Sequence, residues 1–336
     1  MRRKKIAIVY NQPAPQGHEN WEASLDVVVQ VEAIEKALES LGHSSVRVPF
    51  TRDLHGFTQR FREQMVDTVF NLCETVDEDP HLVWHAAAVF ELLGVSFTGS
   101  TSAALMLTTD KLITKRLLTG RQIRTPNYLT CHGSREFSTA QLKFPVIVKP
   151  RFEDASIGID QDSIFENDQE LRKGLKRFLD RFGHLLIEEY IPGREFNITL
   201  LGYPLASILP MGEIDFSTFP ENLYPIVGYR AKWDKSSFEY RRSPRRFPRD
   251  LGRSLADKME RVALECFHLF MVRDCGRVDL RVDDHGKIYV LEVNVNPCLS
   301  PDAGFAASAH EAGLSYSDMI GMIVDFAIQR QEDSTL

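Results

Sequence analysis

Several features that define common protein classes are missing from this chain. Its five cysteines are scattered, and no two of them have the CxxC spacing, which disfavours a structural zinc site and fits a reducing compartment. No apolar run approaches the length of a membrane span, and the run at residues 6–10 is too short for the core of a signal peptide. We therefore expect a cytoplasmic protein without a membrane partner.

Two nucleotide-binding motifs and an excess of positive charge are also missing. No GxGxxG follows the first apolar run and no GxxxxGK[ST] is present, which argues against a nicotinamide-dependent enzyme and a P-loop protein. The net charge of −7 gives no general attraction to nucleic acid, so no such partner is expected. The basic stretch 240–249 remains open: it is either a solvated loop or a contact for RNA or a phosphorylated substrate.

The composition that is present is ordinarily globular, with 43% hydrophobic and 26% charged residues over 336 positions. This length predicts two or three lobes. In the first hundred residues, short apolar runs alternate with helical patterns, which predicts a doubly wound α/β lobe. Its predicted strands are 6–10, 45–48, 68–72 and 95–98. Further predictions are helices at 110–118, 171–182, 255–270 and 316–328, strands at 145–149, 185–190 and 195–201, and long loops over 216–248.

A patch of oxygen-bearing side chains is the most informative feature. Asp279 ends one apolar run, and Glu292 and Asn294 alternate along a second, after a turn at 283–286 that predicts a hairpin. Residues two apart on a strand point to the same face, so these side chains should lie together. Carboxylates and amides of this kind hold Mg²⁺ together with substrate phosphates. The alternative is a polar face on an edge strand.

Two further groups suggest polyphosphate and nucleoside contacts. Lys149 ends an apolar strand and precedes a loop containing Ser156, where an ammonium and backbone N–H groups can meet phosphates. Glu188 and Glu195 bracket a predicted strand–turn–strand, where one carboxylate can accept from an adenine amino group and the other from ribose hydroxyls. Alternatively, Lys149 is a surface lysine beside an ordinary loop. Glu188 and Glu195 would then be solvated acidic residues on a hairpin.

In this order, the three groups resemble the ATP-grasp superfamily and most closely the D-alanine–D-alanine ligases. The resemblance also includes residues 94–100, the pair Asp110-Lys111 and residues 229–233. It implies an α/β protein with the ATP-grasp fold. An N-terminal Rossmann-like (pre-ATP-grasp) lobe would span 1–108 and an ATP-grasp domain 109–330, divided into a central α+β lid subdomain at 109–190 and a C-terminal α+β lobe at 191–330.

The resemblance also implies roles for individual residues. Lys111 and Lys149 would hold nucleotide phosphates under the loop of Ser156, while Glu188 would meet the adenine and Glu195 the ribose. Arg277 would stabilise the developing oxyanion, and Lys232 would approach the transferred phosphoryl group from a mobile loop. The implied cofactors are ATP and two Mg²⁺, with Mn²⁺ as a substitute. The metal ligands would be Asp279, Glu292 and Asn294.

Departures from that family concern the parts that would contact substrate. Its Gly-Gly turn and Ser…Glu-Arg motif are absent, and a family histidine is replaced by Cys73. Residues 296–302 also differ from the family's Asn-x-Ser-Pro-Gly pattern. We therefore expect phosphoryl chemistry retained on a different substrate pair. The candidate substrate residues are Glu22, Glu74, Asn296, Ser300 and Asp302.

The function expected from these residues is an ATP-dependent carboxylate–amine ligase. An acyl phosphate would form, an amine would attack it, and ADP and phosphate would leave. The partners would be amino acids or small peptides, and the family suggests a homodimer. The alternative is a non-catalytic ATP-binding regulatory or scaffold protein with the same fold.

Overall fold

The N-terminal lobe alternates strands and helices, as the sequence predicts. The structure, a computed structural model, describes residues 3–14, 16–17, 21–133 and 137–333, with residues 22 and 23 described by their backbone alone. The strands of this lobe form a parallel sheet in the order β2-β1-β3, and the residues at positions 6–9 of β1 are fully buried. Its elements are β1 (Lys5–Asn11), α1 (Trp21–Ser40), β2 (Ser44–Phe50), α2 (Leu54–Glu63), β3 (Thr68–Leu72), α3 (Trp84–Leu93) and α4 (Ser102–Thr109).

The prediction of a strand over 95–98 is wrong, because only one residue of this segment pairs as in a sheet. Within this segment, Phe97 forms one isolated bridge with Val69. The side chain of Thr98 accepts the backbone N–H of Asn71, and Gly99 then turns the chain at a φ of 81°. A side-chain bond and a left-handed glycine thus replace the regular ladder that a full strand would need.

The second lobe is a small antiparallel sheet with its own apolar core. Its strand order is β4-β7-β5-β6, and α6 covers one face through Leu171, Leu175 and Phe178. Asp110 begins α5 by accepting the backbone N–H groups of two residues in its first turn. The elements are α5 (Lys111–Gly120), β4 (Tyr128–His132), β5 (Val146–Pro150), β6 (Ile164–Phe165), α6 (Asp168–Phe182) and β7 (His184–Glu189).

The third lobe is a larger antiparallel sheet in the order β11-β10-β8-β12-β13, with β9 beside β8. The loops predicted over 216–248 contain two short helices and β11. The elements are β8 (Arg194–Gly202), β9 (Ser207–Ile208), β10 (Gly212–Ile214), α7 (Tyr229–Trp233), α8 (Phe238–Arg242), β11 (Arg245–Arg246), α9 (Arg253–Leu269), β12 (Asp274–Val282), β13 (Ile288–Asn294), α10 (Gly304–Glu311) and α11 (Tyr316–Asp333).

Shared cores join the first and third lobes. Val9 of β1 and Val278 of β12 belong to one apolar cluster, and Ile8 and Ile320 belong to another. The closing helix α11 packs against α1 and β3. The smaller second lobe therefore lies against the first and third lobes, which are packed together through these shared clusters. Within the described ranges, no helix is both long and apolar enough to cross a bilayer.

Candidate active site

The side chains predicted to bind the nucleotide and the metals line one cavity of about 560 Å³ between the second and third lobes. Strand β5 and helix α5 supply the lysines, β7 and β8 supply the glutamates, and β12 and β13 supply the oxygen patch. The predicted residues on this wall are Lys111, Lys149, Ser156, Glu188, Glu195, Lys232, Arg277, Asp279, Glu292, Asn294 and Asp302.

The oxygen patch is built by register across three neighbouring strands. Asp279 lies opposite Glu292 on β13 and opposite Asn197 on β8. The register shifts after Asp279, which leaves Leu291 as the extra residue of a bulge. Bulges commonly re-aim side chains beside active sites. The predicted β12–β13 hairpin is confirmed, and it brings the two carboxylates side by side.

Asp279 is held in place by three donors. Arg277 donates to both of its carboxylate oxygens at 2.8 Å, and Asn197 and Asn294 donate at 2.7 and 3.1 Å. Burial alone would lower the pKa of Arg277, but the Asp279 carboxylate outweighs it and raises that pKa. Arg277 is thereby fixed as a permanent cation on the cavity wall.

The donor set fits Mg²⁺ held jointly with phosphates. Among the described residues, no group of three His, Cys, Asp or Glu side chains is arranged to hold a metal on its own. The patch offers two carboxylates and an amide, and Mg²⁺ is usually held by one or two carboxylates plus substrate phosphates. The residues present therefore match a site completed by substrate rather than a closed protein cage.

Lys111 connects the patch to the loop after β5. Its Nζ lies 3.3 Å from Glu292 and 3.2 Å from Asp154, and it also donates to the backbone carbonyl of Glu153. The charge of Lys111 outweighs burial and lowers the pKa of the Glu292 carboxyl. Glu292 is thus kept ionised, as a metal ligand must be.

Glu188 is bracketed by two lysines. Lys149 lies 3.0 Å and Lys115 lies 3.2 Å from its carboxylate oxygens. Burial favours the neutral acid, but the two ammonium groups outweigh it and lower the pKa of Glu188. Burial lowers the pKa of Lys115 to about 8. Lys115 is not among the residues predicted from the sequence, although its position four residues after Lys111 places it on the same helix face.

Glu195 is positioned by another residue that the sequence analysis missed. Arg281 donates to Glu195 through Nε at 3.0 Å and through a terminal nitrogen at 2.8 Å, and to the carbonyl of Ile191 at 2.7 Å. Arg277, Asp279 and Arg281 alternate along β12, so the period of two could have identified it. One oxygen of Glu195 is thereby fixed and the other can accept from a ligand.

Two loops are clasped over the cavity. Ser156 donates to the carbonyl of Val227 at 2.8 Å, and the indole N–H of Trp233 donates to the carbonyl of Ala155 at 2.8 Å. The backbone N–H of Tyr229 donates to Ile159. These hydrogen bonds hold the loop that follows β5 against the segment that carries Lys232.

A smaller cavity of about 90 Å³ adjoins the first and is lined by the substrate candidate Glu74 and by Asp26. Gln30, which is 1% exposed, donates to Glu74 at 3.0 Å and to Asp26 at 3.1 Å. Burial, assisted by the Asp26 charge, raises the pKa of Glu74 to about 7 against the effect of Gln30. Asp26 and Gln30 are not among the residues predicted from the sequence, although they are polar residues four apart on α1.

The remaining substrate candidates differ in position. Asn296 lines the smaller cavity and donates to the carbonyl of Cys73 at 2.9 Å. Ser300 is buried and donates to Asp26 at 2.7 Å, and Asp302 lines the larger cavity. Glu22 falls within α1, but its side chain lies outside the described part of the chain.

Known proteins resemble this chain in sequence and in fold. The family model described as "D-ala D-ala ligase C-terminus" matches residues 126–325. An uncharacterized protein, y4sG, of Sinorhizobium fredii is 32% identical over 96% of this chain and 93% of its own length. A D-alanine–D-alanine ligase of Thermotoga maritima is 31% identical over 89% of this chain and 92% of its own length.

The fold comparison covers the whole molecule. The crystal structure of a D-alanine–D-alanine ligase from Bacillus anthracis complexed with ATP matches with a TM-score of 0.77 at 19% identity, covering 98% of this chain and 99% of that chain. The predicted ATP-grasp fold is therefore confirmed. Because the family model covers more than half of the chain and these relatives match most of it, the chain belongs to the D-alanine–D-alanine ligase family of ATP-grasp ligases.

Proposed function

We propose that the protein joins a carboxylate to an amine through an acyl phosphate, converting ATP to ADP and phosphate. The observation that carries this proposal is the convergence of Arg277, Asp279 and Glu292 with Lys111 and Lys149 on one cavity. Cations and metal-binding oxygens meet there, as transfer of a phosphoryl group requires. The solved relative in complex with ATP supports the choice of nucleotide.

The metal and nucleotide contacts are assigned residue by residue. Asp279, Glu292 and Asn294 would hold two Mg²⁺, which neutralise phosphate charge when bound. Lys111 and Lys149 would hold phosphates on the opposite wall. Glu188 would accept from the adenine amino group and Glu195 from ribose hydroxyls.

Chemistry at the carbonyl depends on three further features. The Arg277 guanidinium, fixed by Asp279, would stabilise the oxyanion that forms when the carboxylate is activated and then attacked by the amine. Lys232, whose ammonium makes no ion pair with any described residue, is available for the transferred phosphoryl group. The clasp of Ser156 and Trp233 would keep water from the acyl phosphate, which would otherwise be hydrolysed.

The acidic residues of the smaller cavity support an amine-bearing substrate. Glu74 and Asp26 offer carboxylates to an ammonium group, and Asn296 adds an amide. This cavity would receive the amino group of an amino acid or small peptide. The departures at Cys73 and at 296–302 favour a substrate pair other than two D-alanines.

A screen for phosphate release tests the proposal. Pairs of D- and L-amino acids and dipeptides would be incubated with ATP and Mg²⁺, and products weighed by mass spectrometry. We expect ADP, phosphate and a product lighter than the sum of its substrates by one water. Formation of only AMP and pyrophosphate would contradict the proposal.

Other expectations remain predictions. The domain bounds at 108 and 190, the use of Mn²⁺, the homodimer and the cytoplasmic location each await a test. A non-catalytic regulatory role has less support, because the full set of predicted nucleotide and metal contacts lines one cavity.

A further inference from the structure

The side chain of Glu74 has one engaged oxygen and one open oxygen on the wall of the smaller cavity. Its backbone N–H donates to the side-chain oxygen of Asn11 at 2.9 Å, which fixes Glu74 where β1 and β3 end. Gln30 donates to one carboxylate oxygen at 3.0 Å, and no hydrogen bond from the described residues reaches the other oxygen. A carboxylate held in this way keeps lone pairs available for a ligand.

The neighbouring carboxylate and thiol are not available for the same role. Ser300 donates to one oxygen of Asp26 at 2.7 Å, and Gln30 and the thiol of Cys298 donate to the other at 3.1 and 2.9 Å. Burial, assisted by the Asp26 charge, raises the pKa of the Cys298 thiol to about 12, so this thiol stays protonated. Neither group can therefore take up a further proton near neutral pH.

The other charged groups of this cavity are a loop carboxylate and two cations. Asp154 is paired with Lys111 at 3.2 Å, so its charge is committed to a lysine that we propose holds a phosphate. Lys232 and Arg277 line the same cavity, and their cationic groups have no lone pair to accept a proton. Among the described side chains of this wall, Glu74 is therefore the carboxylate with an open oxygen and no ion pair.

Hydrogen bonds fix Glu74 relative to the strand that carries the proposed metal ligands. Asn296 lies just beyond β13 and donates to the backbone carbonyl that precedes Glu74 at 2.9 Å. The side-chain oxygen of Gln30 accepts the backbone N–H of Leu299 at 2.9 Å. Glu74 is thereby held at the cavity that Arg277, the proposed oxyanion contact, also lines.

We propose that Glu74 is the general base that takes a proton from the ammonium group of the acceptor, so that the nitrogen can attack the acyl phosphate. The inference rests on the proposed ligase function and assigns a proton transfer that this function needs, because an ammonium nitrogen has no lone pair. Once Glu74 has accepted one proton, the nitrogen bonds to the carbonyl carbon and the bond from that carbon to the phosphate oxygen breaks. Phosphate leaves with that electron pair and with the second proton of the nitrogen, and Glu74 returns its proton to solvent.

The charges around Glu74 favour this role. Burial raises the pKa of its carboxyl to about 7, and the charges of Asp26 on α1 and Asp154 on the loop after β5 act in the same direction. Gln30 and the ammonium of Lys232 on α7 act in the opposite direction. A general base works best when its pKa lies near the working pH, because it is then both ionised and basic enough. The kcat should therefore rise with pH through about 7, as Glu74 loses its proton.

An acceptor that needs no deprotonation before attack tests the proposal. Hydroxylamine is unprotonated at neutral pH and yields a hydroxamate, so it would be compared at saturation with the ammonium acceptor found in the screen. We expect Glu74→Gln to lower kcat with the ammonium acceptor roughly a hundredfold or more, and to leave hydroxamate formation within about threefold of the wild type. Glu39→Gln, at an exposed residue of α1, is the matched control and should behave as the wild type with both acceptors.

A second variant keeps the base and changes its surroundings. Gln30→Met removes the donor that lowers the pKa of Glu74, so the rise of kcat with pH should move to higher pH. The inference is overturned if Glu74→Gln lowers both rates equally, if it leaves kcat with the ammonium acceptor unchanged, or if the pH profile of Gln30→Met coincides with that of the wild type. If the wild type forms no ADP with any pair, the proposed function itself fails.

Discussion

Glu292 lies between Lys111, which we propose holds a phosphate, and Asp279, which we propose binds metal. Its carboxylate faces Lys111 at 3.3 Å and lies beside Asp279 on the neighbouring strand. We predict that Glu292→Gln lowers kcat by roughly a hundredfold or more, because an amide binds Mg²⁺ weakly and leaves Lys111 without this partner. Steady-state ADP formation measures the effect. Glu265→Gln, on the exposed face of α9, should remain active, and full activity of Glu292→Gln would remove it from the metal assignment.

Glu74 gives the smaller cavity a pH dependence. Burial and Asp26 raise the pKa of this carboxyl to about 7, so it is neutral below that pH and charged above it. A charged carboxylate attracts an ammonium, so the acceptor KM should fall as pH rises through about 7. In Glu74→Gln this dependence should disappear and the acceptor KM should stay high. A wild-type acceptor KM that stays constant from well below to well above about pH 7 would exclude Glu74 as the amine contact.

Among the site residues, those with a local sequence signal were found and those whose partners are distant were missed. Glu292 and Asn294 stand out because polar residues alternate in an apolar run. Arg281 continues the alternation along β12, but it was missed because the partner that gives it a role, Glu195, lies 86 positions away. Arg245 was noticed only as part of a basic stretch, because its place on the wall of the larger cavity, beside Gly304 and Gly212, depends on the folded chain.

The hydrogen bonds that join the two loops are the element on which we expect the coupling of ATP use to product formation to depend. Trp233→Phe keeps an aromatic ring but removes the donor to Ala155, a hydrogen bond worth about 1 kcal/mol. We predict that more ATP is hydrolysed per ligated product, because water reaches the acyl phosphate in the less firmly closed state. The ratio of ADP to product, measured together, reports this. Trp84→Phe on α3 serves as the control, and an unchanged ratio in Trp233→Phe would show that the clasp does not govern closure.

The elements were predicted best where apolar periodicity and turn signals agree. The β12–β13 hairpin and helices α6 and α9 follow from such patterns. The short strands β9, β10 and β11 carry too few residues for a periodic signal. The segment 95–98 has the composition of a strand, but the Thr98 side chain and Gly99 end its pairing. Tertiary contacts, and not local strand propensity, therefore determine where the pairing of this segment ends.

At the scale of the whole molecule, ligand binding between the lobes should stabilise the fold. A ligand that binds only the folded state at a hundred times its Kd adds roughly 2.7 kcal/mol to the free energy of unfolding. We predict that ATP with Mg²⁺ raises the Tm by a few degrees. Removal of Mg²⁺ by chelation should take away most of that rise, and Glu292→Gln should show little of it even with the metal present. The Tm can be measured by thermal scanning with a dye. An equal rise in Tm on addition of ATP with and without Mg²⁺ would contradict the metal assignment.

The central claim is that a substrate carboxylate receives the γ-phosphoryl group of ATP before the amine attacks. Transfer of ¹⁸O from a labelled carboxylate tests it most directly, with the phosphate product weighed by mass spectrometry. The account predicts one ¹⁸O in each phosphate released, in equal amount to ADP and to ligated product, because the acyl phosphate leaves one carboxylate oxygen on phosphorus. Unlabelled phosphate formed together with ligated product, or label appearing in AMP, would contradict it.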